Sequence, residues 1–177
     1  VGNVDSCTTT VLIEDVSAPN VSCNANVNVI LDPFTSSGTL TSAAVDLGSS
    51  DNCGIANYAL SRTNFTCGDI PNNPFTVTMV VTDASGNADS CTTQVTVIDT
   101  VAPVANCVAG PINLALVGST VSTTVAAVNN GSTDNCSIAS MALNQSTFNC
   151  NDLGNNTVIL TVTDSSGNTG TCNVQVN

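Results

Sequence analysis

Every second residue from Phe75 to Val81 is apolar: Phe75, Val77, Met79 and Val81. That period of two predicts a β-strand with those four side chains turned toward a core. Shorter stretches of the same character surround it. A short strand is predicted around Val21 to Cys23, then NVNVILD ending at Asp32, TLTSAAV (39–45), IANYALS (55–61), RTNFTC (62–67) and SCTTQVTVID (90–99). PFTSSGT, a Gly/Ser/Asp/Asn loop and ASGN punctuate them as turns. Six or seven short strands separated by turns suggest an immunoglobulin-like β-sandwich.

The pattern then repeats. Cys7 falls on Cys91, Pro19 on Pro103 and Cys23 on Cys107 at an offset of 84. Cys53 and Cys67 fall on Cys136 and Cys150 at 83, and Asp83 and Cys91 on Asp164 and Cys172 at 81, a drift that short loop deletions explain. SSDNCGIANYAL stands beside STDNCSIASMAL, and FTVTMVVTDASGNADSCTTQVTV beside NTVILTVTDSSGNTGTCNVQV. The opening VGNVDSCTTTVLIEDVSAP matches SGNADSCTTQVTVIDTVAP. The expected organisation is therefore the last strand and linker of a preceding repeat over residues 1–16, one sandwich over 17–100, and a second over 101–177 whose final strand is truncated.

Composition narrows the class. Hydrophobic residues make up 42% of the chain but aromatics only 3%, so the cores must be built from Val, Ile, Leu, Ala and cystine. Thr, Val, Ser and Asn favour strands and turns over long helices. Thirteen acidic residues against one basic residue, Arg62, give a net charge of −12, which repels nucleic acid and anionic lipid. No apolar run approaches the roughly 20 residues that a membrane-spanning helix needs.

Nine cysteines without any histidine or CxxC pair argue for disulfides over zinc, and so for an oxidising, extracellular or cell-surface setting. In a sandwich of this strand order the first strand and the last strand share a pole, which pairs Cys23 with Cys91 and Cys107 with Cys172. The remaining cysteines then pair as Cys53 with Cys67 and Cys136 with Cys150, although four cysteines allow three connectivities per repeat. Cys7 is expected to pair outside the chain.

Catalysis fails on supply. Without histidine or lysine there is no Ser/His, Cys/His or Schiff-base arrangement, and Arg62 is matched by Gln145 in the second repeat. The chain is expected not to be an enzyme and to need no cofactor other than calcium. Calcium is considered because the strand order gathers Asp51, Asp83 and the linker carboxylates Glu14 and Asp15 at one pole, and Asp99, Asp134 and Asp164 at the corresponding pole of the second repeat. Three converging carboxylates repel one another unless a cation sits among them. The competing explanation is local: Asp83 and Asp164 cap their SGN turns, while Asp51 and Asp134 make Asx turns.

The linker DTVAP, the DNCG tetrapeptide, the VTDASGN turn and the following SC together resemble a hyalin-type repeat, of the kind found in tandem in very large surface proteins of Bacteroidetes. The second copy departs from it by carrying Ser137 after DNC. The resemblance implies an immunoglobulin-like fold and roles in adhesion or matrix building. The function expected is a structural or adhesive repeat of an extracellular filament or adhesin stalk, partnered by neighbouring repeats and by like chains. The alternatives are a module binding a glycan or protein receptor and an accessory domain of a secreted enzyme.

Overall fold

The structure, a computed structural model, describes residues 2–177 and is all-β and disulfide-bonded, with two sheets in each repeat. In the first repeat the strands are β1 (Asn26–Ile30), β2 (Ser37–Thr39), β3 (Ile55–Leu60), β4 (Asn64–Thr66), β5 (Phe75–Asp83) and β6 (Ala88–Ile98). One sheet has the order β1-β6-β5-β3 and the other pairs β2 with β4. The second repeat supplies β7 (Thr120–Ser122), β8 (Ile138–Leu143), β9 (Thr147–Asn149), β10 (Asn156–Asp164) and β11 (Thr169–Val176), arranged as β11-β10-β8 and β7-β9.

β1 runs parallel to β6, from Asn26 opposite Gln94 to Ile30 opposite Ile98. The second repeat keeps the relation only as a parallel bridge between Ile112 and Val176, extended by Leu114 N–H donating to the Asn177 carbonyl. Parallel pairing of first and last strands puts their starts at the same pole.

TLTSAAV does not form the single strand that its apolar spacing predicts. β2 ends at Thr39, and Ser42–Val45 make one turn of α-helix. Thr41 Oγ1 accepts from the Ala44 N–H at 3.3 Å, an N-cap that favours a helical turn for the two alanines, and the turn delivers Val45 to the core. Thr124 and Val125–Val128 repeat the device. RTNFTC leads into a 3₁₀ turn (Cys67–Asn72) closed by reciprocal hydrogen bonds between Thr66 and Asp69, with Asn149 and Asp152 as counterparts.

The chain divides into two compact units that do not follow the repeat register. The first takes residues 1–25, 41–62 and 76–93 and buries Val45, Val77, Met79 and Val81. Of the four residues expected to line the core, Phe75 falls in the second unit, half-buried with its ring 5.7 Å from that of Phe65. That second unit (26–40, 63–75 and 94–177) buries Val29, Leu31, Leu40, Phe65, Val95 and Val97, together with the whole second-repeat core of Val128, Phe148, Val158, Leu160, Val162, Val174 and Val176. Residues 3–19 carry no regular secondary structure, and Val4, Val11, Leu12, Ile13 and Val16 are exposed. The strand expected within residues 1–16 is thus not formed over the described part, because nothing pairs with it. Among the described residues no helix is long and apolar enough to cross a membrane.

Candidate cation sites and the cysteines beside them

Each Asp-Asn-Cys loop sits against the turn that joins the two longest strands of its repeat. In that turn Asp83 accepts at Oδ1 from the Ser85 and Asn87 backbone N–H groups at 2.9 and 2.8 Å, with Gly86 in the left-handed region at φ 93°. Asp164 does the same for Ser166 and Asn168. Pairing with the neighbouring strand shifts register at Ile55/Asn57 in the first repeat and at Thr163/Asp164 in the second, so each aspartate lies beside an irregularity of the kind that re-aims a side chain.

Asp51 Oδ2 accepts from Cys53 N–H (2.8 Å) and Gly54 N–H (3.1 Å), and Asp134 Oδ2 accepts from Cys136 N–H (2.9 Å). Ser137 in place of glycine changes the turn: Gly54 has φ 98°, whereas Ser137 avoids positive φ and places its hydroxyl 2.7 Å from that of Ser165. The linker aspartates complete the sets. Asp15 Oδ1 accepts from Ser17 N–H and the Asn52 side chain; Asp99 Oδ1 accepts from Val101 N–H and the Asn135 side chain.

The structure therefore brings together both predicted sets. Asp15, Asp51 and Asp83 each offer a carboxylate oxygen within 4.8 Å of the others, and so do Asp99, Asp134 and Asp164. Glu14, also in the linker, is exposed and stands outside the set. The local explanation is correct as well, because every one of the six accepts a turn or linker backbone N–H. The two explanations use different oxygens. Asp15 Oδ2, Asp51 Oδ1, Asp99 Oδ2 and Asp134 Oδ1 are buried and accept no hydrogen bond, and Asn135 Oδ1 joins them in the second repeat.

Asparagines unnoticed in the sequence lock these sets. Asn87 donates to Asp83 Oδ2 and to the Asp15 carbonyl, and Asn168 donates to Asp164 Oδ2 and to the Asp99 and Val101 carbonyls. The signal was available in the sequence, since Asn follows SG in both copies. Ser17 N–H and the Asn52 amide hold the Asp15 carboxyl below the ordinary carboxylate range. The Asp15 carboxylate in turn pushes the Cys53 thiol up, by hydrogen bonding first and then, with Asp51 and Asp83, by repulsion of the thiolate.

Cys23 bonds to Cys91 and Cys107 to Cys172, as the shared pole requires. The other two expected bonds are absent. Cys67 is joined to Cys136, with Cα atoms 5.3 Å apart, while Cys53 and Cys150 are exposed free thiols, as is Cys7. The 3₁₀ turn of one repeat thus meets the Asp-Asn-Cys loop of the next inside the second compact unit. Ser36 Oγ supports the contact by donating to the Asn135 carbonyl at 2.8 Å. The expectation failed because it assumed that each repeat closes its own cysteines.

No family model matches the chain and no curated relative matches it. Among solved structures, it is similar to the N-terminal four Ig domains of Dscam1, isoform 6.9 (12% identity, TM-score 0.46), covering 94% of this chain and 48% of that one. It is also similar to titin domains I67–I69 (10%, 0.46, covering 90% and 65%) and to protocadherin gamma B7 extracellular cadherin domains 1–4 (12%, 0.35, covering 90% and 50%). The chain spans about half the length of the Dscam1 and protocadherin fragments. Likeness at this level says nothing of what the chain binds.

Proposed function

We propose that the chain is a structural and adhesive module of an extracellular filament or cell-surface stalk, built from hyalin-type repeats fastened to one another covalently. The observation that carries this reading is the Cys67–Cys136 bond, which ties the body of one repeat to the entry loop of the next. Two sandwiches linked only by Asp99-Thr100-Val101-Ala102-Pro103 could bend at the linker. A cystine beside that linker removes much of that freedom, as a load-bearing series of repeats requires.

Repeat equivalence extends the scheme. Cys53 holds in the first repeat the position of Cys136, and Cys150 holds in the second the position of Cys67. Both are exposed and unbonded. In a longer array, each is the half-bond that a neighbouring repeat completes, and Cys7, at the position of Cys91, pairs in the same way with a cysteine equivalent to Cys23. Disulfide chemistry of this density belongs to an oxidising compartment. Electron microscopy of the native assembly tests the proposal: fibres or surface projections with a regular axial repeat are expected, and isolated globular particles at working concentration would contradict it.

A further inference from the structure

We infer that each repeat binds one calcium ion between its linker, its Asp-Asn-Cys loop and its SGN turn: Asp15, Asp51 and Asp83 in the first repeat, and Asp99, Asp134, Asp164 and Asn135 in the second. The inference stands on the carboxylate geometry and is independent of the stalk reading.

Three carboxylates share a space less than 5 Å across in each set. Asp83, Asp99 and Asp164 are only 2 to 3% exposed. A carboxylate buried without compensation is costly, and three together add mutual repulsion. The chain has no means of neutralising both sets, because it has no lysine or histidine and its single arginine, Arg62, has Gln145 as its counterpart. The turn hydrogen bonds do not resolve this, since they use only one oxygen of Asp15, Asp51, Asp99 and Asp134. The second oxygen of each is buried with no partner, as is Asn135 Oδ1. Buried polar atoms in folded proteins are nearly always hydrogen-bonded or bound to water or an ion, and four unpartnered carboxylate oxygens gathered in two acidic clusters call for such a partner.

That partner is a hard cation. All the unpartnered atoms are oxygens, no nitrogen or sulfur belongs to either set, and calcium takes six to eight oxygen ligands in adaptable geometry. Magnesium, which demands a tighter octahedron and keeps its water, fits a set of three widely separated chain segments less well. The ion would join residues brought from three distant parts of the sequence, fixing the linker against the repeat that it enters. Occurrence of the same arrangement twice in one chain, at equivalent positions, makes an accident of packing a poor explanation.

The test is calorimetric titration of the metal-free chain with calcium chloride, with magnesium chloride in parallel. Two calcium sites per chain are expected, with magnesium binding at least tenfold weaker. Asp99→Asn retains the Oδ1 acceptor for Val101 N–H but removes charge, so it should leave one site intact and weaken the other at least tenfold; Asp15→Asn should do the same for the first repeat. Far-UV circular dichroism of each variant reports whether the fold survives. Absence of calcium binding up to millimolar concentration in the folded wild-type chain would overturn the inference. So would two undiminished sites in a folded Asp15→Asn/Asp99→Asn double variant.

Discussion

Replacing Cys67 and Cys136 by serine removes the inter-repeat cystine, and its loop length sets the expected cost. The bond closes 69 residues of chain. The entropy lost by an unfolded chain so constrained is about 15 cal/mol/K, which corresponds to about 4 kcal/mol of stabilisation at 25 °C. Cys23–Cys91 and Cys107–Cys172 close loops of 68 and 65 residues, so the same reasoning gives all three bonds nearly equal weight, within about 0.1 kcal/mol. Neither of these bonds shortens the loop closed by the third. The comparison is best made in a Cys7→Ser, Cys53→Ser, Cys150→Ser background, which removes the three exposed thiols and prevents exchange. Urea denaturation followed by circular dichroism should show a loss of about 4 kcal/mol, and thermal unfolding a fall of about 8 to 16 °C. A loss below about 1 kcal/mol would refute the reasoning, since the bond would then place no restraint on the unfolded chain.

Other consequences are local. A methyl group added at Gly170 would collide with the Pro103 carbonyl, a backbone atom that no rotamer change can move aside, so Gly170→Ala should destabilise by about 1 to 3 kcal/mol in the same urea assay. Gly2→Ala, which meets nothing, should be neutral there. The Ser49 hydroxyl and backbone N–H hold Asp46 below the usual carboxylate range, and the Thr35 and Phe34 N–H groups do the same for Asp32. A depressed folded pKa gives stability that is present above the unfolded value and lost as pH falls through the folded one, so stability should decline on acidification below about pH 4. Asn129 occupies the position of Asp46 in the second repeat and accepts the equivalent Ser132 bonds. Asp46→Asn should therefore keep the fold and flatten part of that acid dependence, as measured by urea midpoints between pH 2.5 and 6.

Much of this architecture was legible because it is local. The alternation from Val77 to Val81 predicts a buried face, and Val77, Met79 and Val81 are all fully buried. Asp-x-Ser-Gly-Asn marks its turn by chemistry alone, and strand order puts Cys23 with Cys91 and gathers both aspartate sets. TLTSAAV was misread because apolar spacing over so few residues does not separate a strand from one helical turn; the deciding feature is the Thr41 cap. The pairing of Cys67 with Cys136 was hidden for a different reason. In a tandem sequence every cysteine has an equivalent in the next repeat, so closure within a repeat and closure across the junction satisfy the same spacing rules. Only the placement of the 3₁₀ turn next to the following Asp-Asn-Cys loop separates them.

That junction is also where the account is most directly tested. Proteolysis of the unreduced chain, with free thiols first blocked, followed by mass spectrometry of linked peptides, reads the connectivity without reference to any fold. The account predicts a peptide containing Cys67 joined to one containing Cys136, with Cys53 and Cys150 carrying the blocking group in the isolated chain. Peptides joining Cys53 to Cys67 and Cys136 to Cys150 would contradict it, leaving two separately closed repeats with no covalent tie at their junction.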